Sequence, residues 1–97
     1  MLAIMEEHSD RDLVEAARAG QVAAFGTIVE RYQQLVCAVA YSSCGNAALS
    51  EDVAQETFVA AWTTLARLEN PDRLKSWLCS IASNKARDAL RKRKREV

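Results

Sequence analysis

Counted from Asp52, the residues Gln55, Glu56, Val59 and Thr63 stand at offsets of three, four, seven and eleven, a spacing that lines all five along one stripe of a helix. Two carboxylates, an amide and a valine in that arrangement can receive the Arg or Lys of another molecule. No basic residue lies within four positions of Asp52 or Glu56, so neither acid has a partner on its own helix. The plain alternative is a solvated acidic face. A second set has the opposite sign. Ser80, Asn84, Arg87, Arg91, Lys94 and Arg95 share one helical side, Lys85 and Lys92 widen it, and Arg73 and Lys75 stand at its start. Arg offers phosphate a bidentate fork, Lys a point charge, and Asn can bond a base edge. Phosphate is the natural ligand of such a ridge. A solvated tail, or a basic helix lying on anionic lipid, are the alternatives.

Formal charge sums to zero, but the two ends of the chain differ. Met1 to Ala66 holds three basic residues against nine acids, a net of −6, and Arg67 to Val97 holds ten against four, a net of +6. This polarity fits one surface for a basic partner and another for a polyanion.

The elements that must carry these stripes are helices. In 97 residues there is room for one core, and a chain that is 49% hydrophobic and 27% charged has the ordinary globular mix, which excludes collagen-like and wholly disordered classes. Three Gly and one Pro are too few turn residues for an all-β sandwich. Ser9, with Asp12 three residues on, starts a short first helix that Gly20 stops. Phe25, Ile28, Val29, Tyr32, Leu35, Val36, Val39 and Ala40 make the inner face of a second, from about Val22 to Ser43. Gly45-Asn46 breaks it, and Ser50 offers a cap for a third, whose inner face reads Ala54, Phe58, Ala61, Trp62 and Leu65 and gives out near Leu68. The fourth follows the Pro71 loop with Leu74, Trp77, Leu78, Ile81, Ala82, Ala89 and Leu90, until the run Arg91 to Arg95 frays it. The expected fold is all-α: a bundle of four helices, the last two joined by a Pro-containing loop, in a single domain over 1–97 with an ordered core of about 9–92.

Trp62 and Trp77 fit the apolar sets of their helices, which favours core packing over base stacking. Cys37, Cys44 and Cys79 are odd in number and sit in apolar helical patterns, as free thiols of a reducing cytoplasm do. No CxxC or HxxxH pair suggests a metal, and no Gly-rich phosphate loop or Ser-His-Asp set suggests catalysis, so neither cofactor nor enzyme activity is expected. No apolar run reaches the length of a membrane span, and the first residues lack the positive start of a secretion signal, so the expected setting is the cytoplasm.

The block Asp52-Val-Ala-Gln-Glu-Thr-Phe-Val-Ala-Ala-Trp62, followed by Leu74-Lys-Ser-Trp-Leu-Cys-Ser-Ile-Ala-Ser-Asn-Lys-Ala-Arg-Asp-Ala-Leu90 and a basic run, resembles region two of the bacterial RNA polymerase sigma factors of the extracytoplasmic-function group. Phe25 to Tyr41 resembles the helix that precedes those blocks, and the likeness covers about Asp10 to Arg95. It implies that Asp52, Gln55 and Glu56, with Val59 on the same stripe, dock on the clamp helices of the largest polymerase subunit. It also implies that the loop of about Arg67 to Lys75, Arg73 and Lys75 included, captures a base flipped out of the non-template strand at the minus-ten promoter element. Ser80, Asn84, Lys85, Arg87 and Arg91, widened by Lys92, would contact that strand and the upstream duplex, and an anti-sigma protein would be a further partner. The sequence departs from the family pattern at Cys79, where an aromatic residue is frequent, and at Ser80 and Ser83, where a basic one often stands, which points to fewer phosphate contacts. Two readings from other classes remain beside it: a helical protein-interaction module with a basic ridge for an acidic partner, and an autonomous DNA-binding repressor.

Overall fold

The backbone N–H of Asp12 donates to the Ser9 hydroxyl at 3.1 Å, and the Asp12 carboxylate accepts the Ser9 N–H at 3.3 Å, a reciprocal cap that starts α1 (Asp10–Arg18). The computed structural model describes residues 8–96. Fraying is expected at 1–8 and 93–97, and of these residues 1–7 and Val97 lie outside the described ones. α2 (Val22–Cys44) ends where Gly45 takes a left-handed φ of 68° and its N–H donates to Tyr41 O at 2.7 Å, a conformation that a Cβ would disfavour by about 1 kcal/mol. α3 (Ala47–Thr64) runs on into a 3-10 turn (Leu65–Arg67), a second 3-10 turn follows at Pro71–Arg73, and α4 (Leu74–Glu96) is the last described element. Among the described residues, the all-α bundle of four helices with a Pro-containing last connection is what the periodicity predicts.

Three local expectations are corrected. Asn46, not Ser50, caps α3: its side-chain oxygen accepts the Leu49 N–H at 2.8 Å, while Ser50 is buried within the helix and its hydroxyl donates back to Ala47 O at 2.7 Å. Asn is as good a cap as Ser, and Ala47, Ala48 and Leu49 are good helix formers, so the helix begins a turn earlier. The basic run stays helical to Glu96, because Arg and Lys favour helix and cations in a last turn complement the helix dipole. Trp62 is 41% exposed where the core was expected. It follows buried Ala61 by one residue, a step of about 100° that carries it to the edge of the inner arc, where its ring meets Phe25 edge-on with centroids 5.0 Å apart.

Ile28, Val36, Leu74 and Leu78 form the centre of the core with Val14 and Phe58, and Ala40, Val53 and Ala86 make a smaller cluster toward the other end of α2. Each large aliphatic side chain buried here stabilises the fold by about 1.5–3 kcal/mol. Ala40, Ala61, Ala82 and Ala86 are fully buried, and side chains this small let α2, α3 and α4 pack closely on one another. Thr57, the one completely buried hydroxyl among the described residues, donates to Val53 O at 2.8 Å. The helices brace one another: α4 rests on α2 and α3, and α1 lies across α2 and the two 3-10 turns.

Candidate functional site

All the acidic-stripe residues of α3 point outward. Asp52, Gln55, Glu56 and Thr63 are exposed, and Val59 is 64% exposed, a large apolar side chain left in water. Among the described residues neither Asp52 nor Glu56 makes a hydrogen bond or ion pair within the chain. Asp52 and Gln55 form a divide between two grooves. One, of about 530 Å³, runs toward α2 and is lined by Val29, Gln33, Cys37 and Phe58. The other, of about 480 Å³, runs toward α4 and is lined by Glu56, Val59, Ala60 and Lys85.

Lys85, half-buried, lines the groove on the α3 flank of the basic ridge. It follows Asn84 by one residue, and that step turns it to the α3 side, among the carboxylates. The rest of the ridge is displayed as the spacing predicts: Arg73, Lys75, Ser80, Asn84, Arg87, Arg91 and Lys92 are all exposed. Arg87 Nη2 donates to Asn84 Oδ1 at 2.6 Å, and Arg91 pairs with Asp88 one turn back. Both contacts lie in water and hold the guanidinium groups only weakly.

A third cavity, of about 380 Å³ and wide open to solvent, lies between the loop and α4, lined by Arg67, Glu69, Asn70, Arg73, Trp77 and Ser80. Its volume falls at the small end of the range of ligand pockets. Arg73 and Ser80 from the sequence reading meet there, while Lys75 does not line it. Trp77 packs its ring against the core cluster and also lines the cavity, so the assignment to core alone is incomplete. An aromatic surface, an amide and two guanidinium groups around one opening can stack a planar base and hold its phosphates.

The loop is tied to α1. Arg11 Nε and Nη2 donate to the two carboxylate oxygens of Asp72 at 3.2 and 3.1 Å, and Nη2 also donates to Asn70 Oδ1 at 3.3 Å. The hydrogen bond with Asp72, and then its charge, raise the Arg11 pKa above the usual arginine value. Arg18 Nη2 donates to Leu65 O at 2.9 Å and to Leu68 O, and its Nε to Leu65 O at 3.2 Å. These partners are 47 to 61 residues apart in sequence, and no local signal marks them. At the other side of α1, Asp10 accepts from Arg31 at 2.9 Å and from the Tyr32 hydroxyl. Burial, then the hydrogen bond and charge of Asp10, push the Tyr32 hydroxyl up to about 12.

Among the described residues, α3 and α4 thus turn two outward faces of opposite charge on one four-helix platform. Comparison with known proteins gives the family. A model of sigma-70 region 2 matches residues 28–96. The chain is 45% identical over 75 residues to the protein described as probable RNA polymerase sigma factor RfaY of Xanthomonas campestris pv. campestris, covering 77% of this chain and 19% of that one. It is 39% identical over 89 residues to RNA polymerase sigma factor CnrH of Cupriavidus metallidurans, 91% of this chain and 46% of that one. Against ECF RNA polymerase sigma factor SigW of Bacillus subtilis it is 31% identical over 81 residues, 84% of this chain and 43% of that one. No solved structure matches the chain significantly. The chain belongs to the sigma-70 region 2 family, and within it to the extracytoplasmic-function group of RNA polymerase sigma factors. It spans less than half the length of these relatives. No helix of the described residues is long and apolar enough to cross a membrane.

Proposed function

We propose that this chain acts in transcription initiation in the bacterial cytoplasm, bridging core RNA polymerase and the opened promoter. The α3 stripe of Asp52, Gln55, Glu56 and Val59 binds the clamp helices of the largest subunit. The α3–α4 loop takes a flipped base of the minus-ten non-template strand into the cavity beside Trp77, and Arg73, Ser80, Asn84, Arg87 and Arg91 follow the backbone of that strand, with Lys75 and Lys92 at the margins. An anti-sigma protein covering these faces would switch the domain off. Lys85, beside the carboxylates of α3, belongs in this reading to the polymerase side and not to the DNA side.

The observation that carries the reading is the exposed, unpaired acidic stripe on one helix together with the exposed cationic ridge on the next. No covalent chemistry is asked of the domain. Binding the separated strand offsets the few kcal/mol needed to unstack and unpair bases. The test has two arms. Asp52→Ala combined with Gln55→Ala lowers affinity for isolated clamp helices by about tenfold or more, as expected when charge-assisted contacts are removed, and unchanged affinity removes the polymerase role. Binding of a non-template oligonucleotide weakens with salt at a log–log slope of about −0.7 per neutralised phosphate, and Arg87→Ala flattens that slope by about one phosphate.

A further inference from the structure

We propose that α1, which lies outside the residues matched by the family model, positions the strand-capturing cavity: Arg11 and Arg18 are a two-point strap that holds the α3–α4 loop in its binding shape. The inference rests on the reading of that cavity as a base site.

The two arginines are seven residues apart, two turns of helix, and so leave α1 on the same side, toward the loop. Each holds a different 3-10 turn. Arg18 takes the carbonyls of Leu65, which also accepts the Leu68 N–H at 3.2 Å, and of Leu68, both past the last turn of α3. Arg11 takes Asp72 and Asn70 at the head of the second turn. The residues between the two points, Leu68 to Asn70, form one wall of the cavity.

Arg11 also fixes what that wall presents. Asn70 Oδ1 accepts from Arg11 and, at 3.0 Å, from the Asp72 N–H, so its oxygen is committed twice. What Asn70 has left for a ligand is the Nδ2 donor pair. The strap therefore biases the cavity toward a base edge that carries an acceptor, a carbonyl oxygen or ring nitrogen. As a stability device the Arg11–Asp72 pair is weak, since both side chains are largely in water. Its effect is local order in the loop.

The full chain is compared with Arg11→Ala, with Arg18→Ala and with the reversed pair Arg11→Asp plus Asp72→Arg, by amide hydrogen exchange and by binding of a short mixed-sequence single-stranded oligodeoxynucleotide. Exchange in residues 65–73 should quicken by about threefold for Arg11→Ala and about tenfold or more for Arg18→Ala, with α2 amides unchanged. The dissociation constant should rise by similar factors, and the reversed pair, which restores the charge tie but not the donor to Asn70 Oδ1, should restore loop protection. Unchanged loop exchange, acceleration spread equally into α2, or a reversed pair that restores nothing overturns the strap. If exchange behaves as expected while the wild-type chain itself has no affinity for the oligonucleotide, the base-site reading falls and the strap stands.

Discussion

The carboxylates around α1 and those along α3 are the same chemical groups in the same small domain, yet they are used in opposite ways. Asp10 holds Arg31 and Tyr32, Asp12 closes the cap of α1, and Asp72 receives Arg11, so each has a partner within the chain. Asp52 and Glu56 have none among the described residues, and they stand one turn apart on one face, where like charges repel. The difference separates carboxylates bonded within the fold from carboxylates that stand exposed and unpaired among the described residues.

That contrast can be broken by mutation, most severely at α1. Asp10→Ala leaves the Arg31 guanidinium with only the His8 carbonyl and the half-buried Tyr32 hydroxyl without its acceptor, and should destabilise the chain by about 2 kcal/mol, read as a lower urea midpoint. A shift of only a few tenths would place Asp10 with the free acids. Tyr32 gives a smaller, pH-dependent effect. Its folded value of about 12 lies above the ordinary tyrosine value of about 10, so its contribution is complete below about pH 10 and disappears as pH rises through about 12. The hydroxyl is only partly buried and water screens it, so the wild type should lose on the order of 1 kcal/mol across that window relative to Tyr32→Phe, measured by urea unfolding at several pH values. Smallest is Glu56→Gln, which relieves repulsion with Asp52 and should raise stability by about 0.2–0.5 kcal/mol while weakening clamp-helix binding. Loss of stability instead would show that Glu56 has an internal role.

The stripes were legible because helical spacing alone decides which side chains share a face, and the buried positions of α2 and α4 then fix which face turns outward. Ser9 with Asp12, and Gly45, signal helix ends through purely local chemistry. Asn46 and Ser50 show where that signal becomes ambiguous: both are capping types, and the choice depends on the three helix-forming residues between them. Lys85 and Trp62 lie at the margins of their arcs, where an angular step of one residue changes the neighbour and only packing against another helix decides. Arg11 and Arg18 were not legible at all. Their partners are reached through tertiary folding, and an arginine on a short amphipathic helix looks like any solvated charge.

The persistence of α4 as helix through Arg91 to Arg95 has a thermodynamic consequence. Had those cations been a slack thread, a polyanion would have to order them on arrival, with a loss of chain entropy and a large negative heat-capacity change. Carried on a rod with a rise of about 1.5 Å per residue, Arg87, Arg91 and Arg95 keep a fixed pitch before any ligand arrives. Calorimetry on this end of the molecule should then record counterion release with little accompanying folding.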